Sequence, residues 1–137
     1  MTVDYLTRDP IDVGRLLETV TDDGRGGTVV FLGSVRRGAE DGPVAAIDYD
    51  AYEEMAGAEF ERIIAAALER WPEAGFAAQH RLGEVPRGEP SIAVVAAAGH
   101  RAEAFEACRW VIDEAKRRLP IWKKERFDDG SERWREE

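Results

Sequence analysis

Lys116 and Lys123 stand on either side of Pro120, inside a stretch where positive charge is concentrated. From Lys116 to Arg126 the chain carries Lys116, Arg117, Arg118, Lys123, Lys124 and Arg126 against a single acid, Glu125. A helix read through Phe105, Cys108, Ile112, Ala115 and Leu119 ends near Leu119, because the residue before a proline is pushed out of helical geometry. At about 100° per residue, Lys116 then falls roughly 20–40° from Phe105 and Ile112, at the edge of the buried stripe. Lys123 lies past the proline, where the chain can fold back over the helix end and bring the two ammonium groups together. Partial burial beside another cation favours the neutral amine, which suits such a lysine to proton transfer or nucleophilic work as well as to holding an anion. The competing reading is a snorkelling core-edge lysine and a solvated helix-end charge favoured by the dipole.

His100-Arg101 follows an apolar strand and Gly99 at the start of the third helix, where free N–H groups favour anions. A strand-end histidine and a surface arginine fit the same pattern. Arg36 and Arg37 close the first strand, where a guanidinium can fork onto a phosphate. His80 alternates with apolar residues and reads as a hydrogen-bonded core histidine. With only two histidines in the chain and no cysteine partner for them, a metal site has little support, and no cofactor is implied. Cys108, the one cysteine, lies in the apolar stripe and behaves as a small hydrophobe. It permits no internal disulfide or Cys-x-x-Cys pair, so sulfur chemistry would need an outside donor.

These groups must be positioned by a mixed set of elements. Asp9-Pro10 reads as an N-cap and first helical position, with Ile11, Leu16, Leu17 and Val20 at helical spacing up to Gly24. Gly24, Gly26 and Gly27 read as a turn, since phosphate-cradling glycines follow a strand and open a helix. Thr28 to Leu32, continuing to Arg36, predicts a buried strand that leads into a polar loop from Arg37 to Pro43. Ile47, Tyr49 and Ala51 alternate with Asp48, Asp50 and Tyr52, the period of a strand with one wet face. Ala56, Phe60, Ile63, Ile64, Ala67, Leu68 and Trp71 then mark an amphipathic helix stopped by Pro72. Phe76 to Leu82 predicts another strand, Pro86-Arg87-Gly88 a turn, and Ser91 to Ala98 a central strand. After the third helix, Asp129-Gly130 between Lys124–Phe127 and Ser131–Trp134 predicts a hairpin. The four tryptophans read as core or interface residues. The order gives an α+β class, with three main helices, a mixed sheet and a small C-terminal hairpin.

Composition bounds the function. A chain of 137 residues with 44% apolar content is expected to form one domain over 1–137. It has no apolar run of spanning length and no signal-like start, so a cytoplasmic setting is expected. A formal net charge of −9 argues against general nucleic-acid binding, which rests on clustered Lys and Arg.

The segments Phe31-Leu32-Gly33-Ser34-Val35-Arg36, Tyr49 to Ala56, His80-Arg81-Leu82-Gly83-Glu84, Gly99-His100-Arg101, and Lys116 through Pro120 to Glu125, closed by Arg133-Trp134, resemble in order the large subunits of molybdopterin synthase, the MoaE family. The resemblance covers nearly the whole chain. It implies an α/β-hammerhead fold and a homodimer flanked by two copies of a small ubiquitin-like sulfur carrier, hence a heterotetramer. The carrier's Gly-Gly tail, ending in a thiocarboxylate, would reach into a pocket of this subunit. There cyclic pyranopterin monophosphate would receive two sulfurs and become molybdopterin, in molybdenum cofactor biosynthesis. Carried over residue by residue, Lys116 and Lys123 match the catalytic lysines. Ser34, Val35, Arg36, His100, Arg101, Lys123, Lys124 and Glu125 match substrate-contacting positions, with His100 and Arg101 serving the neighbouring subunit's site. Ser34 stands where some members carry Lys, and the Arg37–Gly42 loop lacks a familiar Asn; both departures bear on loop contacts more than on the chemistry. A reading from another class is a non-catalytic anion-binding or assembly module whose basic C-terminal region docks an acidic partner.

Overall fold

The computed structural model describes residues 3–38 and 42–136, so residues 39–41 of the polar loop, including part of the departing segment, lie outside the described residues. The elements, in order, are β1 (Leu6–Thr7), α1 (Val13–Val20), β2 (Gly27–Ser34), β3 (Val44–Ala51), α2 (Glu53–Arg70), β4 (Gly75–Arg81), β5 (Gly83–Pro86), β6 (Pro90–Ala98), α3 (Arg101–Arg118), β7 (Ile121–Phe127) and β8 (Glu132–Glu136). They form two four-stranded sheets, ordered β1-β4-β6-β2 and β5-β3-β7-β8. The first is mixed, because β1 runs parallel to β4 while the other pairings are antiparallel. The α+β class with three helices therefore holds.

β6 is the spine of the first sheet, and its alternation explains the layers. Ala93, Val95 and Ala97 face α1, where they meet Leu16 and Val20. Ile92, Val94 and Ala96 face the other way, into a core shared with α2, α3 and the second sheet. A strand covered on both faces has no wet side, which is why its sequence is apolar throughout. The second sheet supplies that core with Ile47, Tyr49, Val85, Ile121 and Phe127. Its outer face is charged: Arg126 pairs with Asp48, Glu84 and Glu132. No helix among the described residues is long and apolar enough to cross a membrane.

Several expectations are corrected. The first helix is capped by Asp12, whose side chain accepts from the Arg15 N–H, and not by Asp9; Asp12 is the residue whose extended backbone immediately precedes the helical turn. β2 is an edge strand rather than a buried one. Val30, Phe31 and Leu32 are 38%, 39% and 41% exposed, because among the described strands only β6 pairs with it. Phe105 is 62% exposed. The stripe that α3 buries is Ala104, Ala107, Cys108, Val111, Ile112 and Ala115, half of it alanine. Lys116, expected at the stripe's edge from its angle to Phe105 and Ile112, is exposed although Ile112 is buried. The C-terminal hairpin is larger than expected, since β7 is an interior strand of the second sheet and pairs with both β3 and β8. Gly130 closes its turn with φ +86, a conformation glycine adopts without steric cost.

Candidate active site

The end of α3 and the strand after it build one wall of a cavity. Pro120 cannot continue the helix, so α3 stops at Arg118, with the Leu119 N–H donating to the Ala115 carbonyl (3.0 Å). The Pro120 carbonyl then accepts from Tyr52 N–H (3.2 Å), which fixes the corner against the start of α2. The last turn of α3 is held from the same side. Arg118 donates Nε to Glu59 Oε1 (2.9 Å), with Nη2 on the same oxygen and Nη1 on Glu114 (3.4 Å). Glu59 titrates below the usual carboxylate range, chiefly through its hydrogen bond from Arg118. Glu114 is lowered as well, first through Arg117.

Beyond the corner, strand alternation sorts the basic residues. Ile121, Lys123, Glu125 and Phe127 share one face of β7, and Lys123 lies opposite Tyr49 of β3 and Arg135 of β8. Lys124 points the other way. Its Nζ is 3.6 Å from Glu132 and 5.3 Å from the centre of the Trp134 ring, on the outer face of the sheet.

The facing wall is the end of β2. The pairing with β6 shifts between Gly33 and Ser34, since Gly33 lies opposite Ile92 but Ser34 opposite Pro90. Ser91 is the residue passed over; its hydroxyl donates to the Gly33 carbonyl (3.2 Å). Such a bulge bends a strand and re-aims the side chains after it. Past it Ser34, Val35 and Arg36 line the cavity; Val35 is buried and pinned by its N–H to the Glu89 carbonyl (3.0 Å) and by Gly88 N–H to its own carbonyl (2.7 Å). Gly88 holds φ +91 in that turn.

The cavity enclosed is about 360 Å³, lined by Gly33 to Arg36, Gly38, Val44, Ile47, Tyr49, Ser91, Lys116, Lys123, Glu125 and Arg135. That volume lies in the small-molecule range. Four basic side chains, Arg36, Lys116, Lys123 and Arg135, face one acid, Glu125. Glu125 is buried; its Oε1 accepts from Arg133 (3.2 Å) and is ion-paired with Arg135 Nε (2.8 Å). Behind the wall, Tyr49 meets His80 edge-on at 4.8 Å, and His80 Nδ1–H donates to the Arg81 carbonyl (2.8 Å). His80 is thus the core histidine expected.

Of the residues singled out from sequence, the fold brings together Ser34, Val35, Arg36, Lys116, Lys123 and Glu125. Lys124 lies on the opposite face of β7, and His100 and Arg101 lie at the other end of the first sheet, where α3 begins beside Gly27. β2 has eight residues, so about 23 Å separates its ends. Tyr49, Ser91 and Arg135 were not singled out as site residues. For Arg135 the Asp129-Gly130 turn was a usable signal, because it fixes the register that sets Arg135 opposite Lys123. Cys108 is buried, its thiol contacts the Val94 carbonyl (3.6 Å), and burial pushes its pKa up to about 11.

Residues 6–118 match the family model described as MoaE protein. The chain is 44% identical over 127 residues to the molybdopterin synthase catalytic subunit of Pyrococcus abyssi, covering 91% of this chain and 86% of that protein. The crystal structure of molybdopterin synthase from Staphylococcus aureus superimposes with a TM-score of 0.92 at 28% identity, covering 98% of each chain. A complex of subunits 1 and 2 of molybdopterin-converting factor from Helicobacter pylori shares the fold at 24% identity, with a TM-score of 0.79 over 97% of this chain and 90% of that one.

Proposed function

The chain belongs to the MoaE family, and from that premise we propose that it is the catalytic subunit of a molybdopterin synthase. It converts cyclic pyranopterin monophosphate to molybdopterin with sulfur from the thiocarboxylated C-terminus of a small ubiquitin-like carrier subunit, in the cytoplasm. The observation that carries this reading is the convergence of Lys116 and Lys123, from a helix end and a strand, on one cationic cavity.

Each group has a task there. Arg36 and the lysines neutralise the substrate phosphate and the terminal carboxylate that the carrier presents. A lysine at the carbons being thiolated gives or takes the proton as each carbon–sulfur bond forms. The chain's own thiol is buried and held protonated, so the sulfur comes from the partner.

A second copy of the chain supplies what one copy lacks. Among the described residues one backbone edge of β2 has no strand beside it, and Val30, Phe31 and Leu32 are exposed along that strand. A two-fold axis through that edge pairs β2 with its copy in antiparallel fashion. The Gly27 end of one copy then lies beside the Ser34 end of the other. His100 and Arg101 of the copy thereby approach the cavity, which supports a homodimer with shared sites.

The test is to mix the protein with thiocarboxylated carrier and pterin precursor and to assay molybdopterin. Wild type should make it, and Lys116→Ala should reduce the rate by at least about a hundredfold. Absence of product with wild type would sink the reading. Full turnover by the mutant would return the chain to the class of binding modules.

A further inference from the structure

Arg135 is on the cavity wall, in the last strand, and the proton transfers proposed for the lysines leave it without a task. Its Nε lies 2.8 Å from Glu125 Oε1, and Arg133 Nη2 reaches the same oxygen at 3.2 Å. Glu125 is the buried member of the three, with a side chain 8% exposed against 32% and 44% for the arginines. One carboxylate therefore meets two guanidinium groups, and the triad keeps a net positive charge.

The geometry determines where that charge is presented. A guanidinium held through Nε leaves its two terminal nitrogens, Nη1 and Nη2, side by side, the arrangement that grips two oxygens of one anion. Among the described residues neither Nη of Arg135 has an ion pair. Arg135 lies opposite Lys123 in the β7–β8 ladder and lines the same cavity as Arg36 and Lys116.

We infer that Arg135 is an oxyanion-binding residue of this site, and that Glu125, clamped by Arg133, is the positioning residue that aims its terminal fork into the cavity. The inference rests on the synthase reading for the two sources of such an anion, the phosphate of the pterin substrate and the carboxylate at the end of the carrier's tail. Both present a pair of oxygens that the fork fits.

Isothermal titration of the full chain with two probes tests it: inorganic phosphate, and a short peptide ending in Gly-Gly with a free carboxylate. Wild type should bind at least one of them. Arg135→Gln should weaken that probe by roughly tenfold to a hundredfold, the loss expected when hydrogen bonds to a charged group are removed. Arg135→Lys, a point charge without the fork, should recover only part of the loss. Glu125→Gln should weaken the same probe less than Arg135→Gln does. Arg109→Gln, on a side chain 85% exposed in α3, removes the same charge away from the cavity and should leave the affinity unchanged. Loss confined to phosphate assigns the fork to the substrate phosphate, and loss confined to the peptide assigns it to the tail.

The inference is overturned if Arg135→Gln binds both probes as wild type does, if Arg109→Gln loses as much, or if wild type binds neither. A thermal melt of Arg135→Gln within about 3 °C of wild type, the shift a loss of under 1 kcal/mol gives in a chain of this size, separates lost binding from lost folding. Failure of molybdopterin synthesis by wild type would sink the function and leave these titrations standing.

Discussion

The contact between Glu59 and Arg118 ties the end of α3 to α2, two residues from Lys116, and a double-mutant cycle measures it. The side chains are 19% and 26% exposed, between a buried ion pair and a surface one. Hydrogen bonds to a charged group contribute about 1.5–3 kcal/mol, and exposed pairs under about 1 kcal/mol. A coupling of about 1.5 kcal/mol follows at this exposure, with Arg118 bound to Glu59 through two nitrogens. For a chain of this size that is about 5 °C in Tm. Glu59→Gln, Arg118→Met and the double mutant, melted by circular dichroism at pH 7, give the value. The sign of the pH dependence is fixed by the lowered pKa of Glu59, caused first by the Arg118 hydrogen bond. A carboxylate whose folded pKa is depressed contributes stability that is fully present above the unfolded value of about 4.3 and is lost as pH falls through the folded value. The coupling should hold from pH 7 to pH 5 and shrink below about pH 4. A coupling under about 0.3 kcal/mol at pH 7, or one unchanged at the lowest pH where the chain still folds, would refute the reasoning.

Ser91→Ala removes the hydroxyl that closes the bulge at Gly33. It should cost about 1 kcal/mol in a denaturant titration and raise KM several-fold while kcat changes less than about threefold, because Ser34 to Arg36 lose their aim. Cys108 should resist iodoacetamide at pH 7.5 in the folded protein and react rapidly once unfolded, since its thiol titrates only at about 11. Cys108→Ala should retain sulfur transfer, and loss of transfer without loss of folding would contradict an external sulfur source. Leu32→Asp places a charge on the bare apolar edge of β2 and should give a monomer in sedimentation equilibrium; an unchanged dimer would show that the subunits meet elsewhere.

How far the sequence could be read depended on whether an element's pattern carried its own register. α2 was legible because Phe60, Ile63 and Ala67 recur on one face and Pro72 stops them. The β7–β8 hairpin was legible because Asp129-Gly130 sets its turn. The reading failed in α3 only at Phe105: Cys108, Ile112 and Ala115 do lie on the buried stripe, but Ala104 and Ala107, which give no signal beyond helix propensity, are buried there while the larger Phe105 is exposed. It failed again at β2, whose apolar run is shared by central strands and by edges awaiting a partner. β1 and β5 are two and four residues long, too short for any periodicity. At the site, the lysines on either side of Pro120 were found from charge and spacing. Ser91 was not, because its role comes from a register shift between two strands far apart in sequence.

The cavity gathers cations in a chain whose formal net charge is −9, and this gives an anion two fields to cross. At a distance it meets the whole acidic molecule and is repelled; within the cavity it meets Arg36, Lys116, Lys123 and Arg135 at contact range. Dissolved salt shortens the far field first, since the Debye length is about 8 Å at physiological ionic strength, and contacts inside a walled cavity are screened much less. Moderate salt should therefore speed the arrival of a small anion, the reverse of what a uniformly basic binding surface shows. The acidic exterior acts as a kinetic barrier against polyanions, whose many charges feel the far field most, and it leaves the cavity to ligands carrying one anionic group.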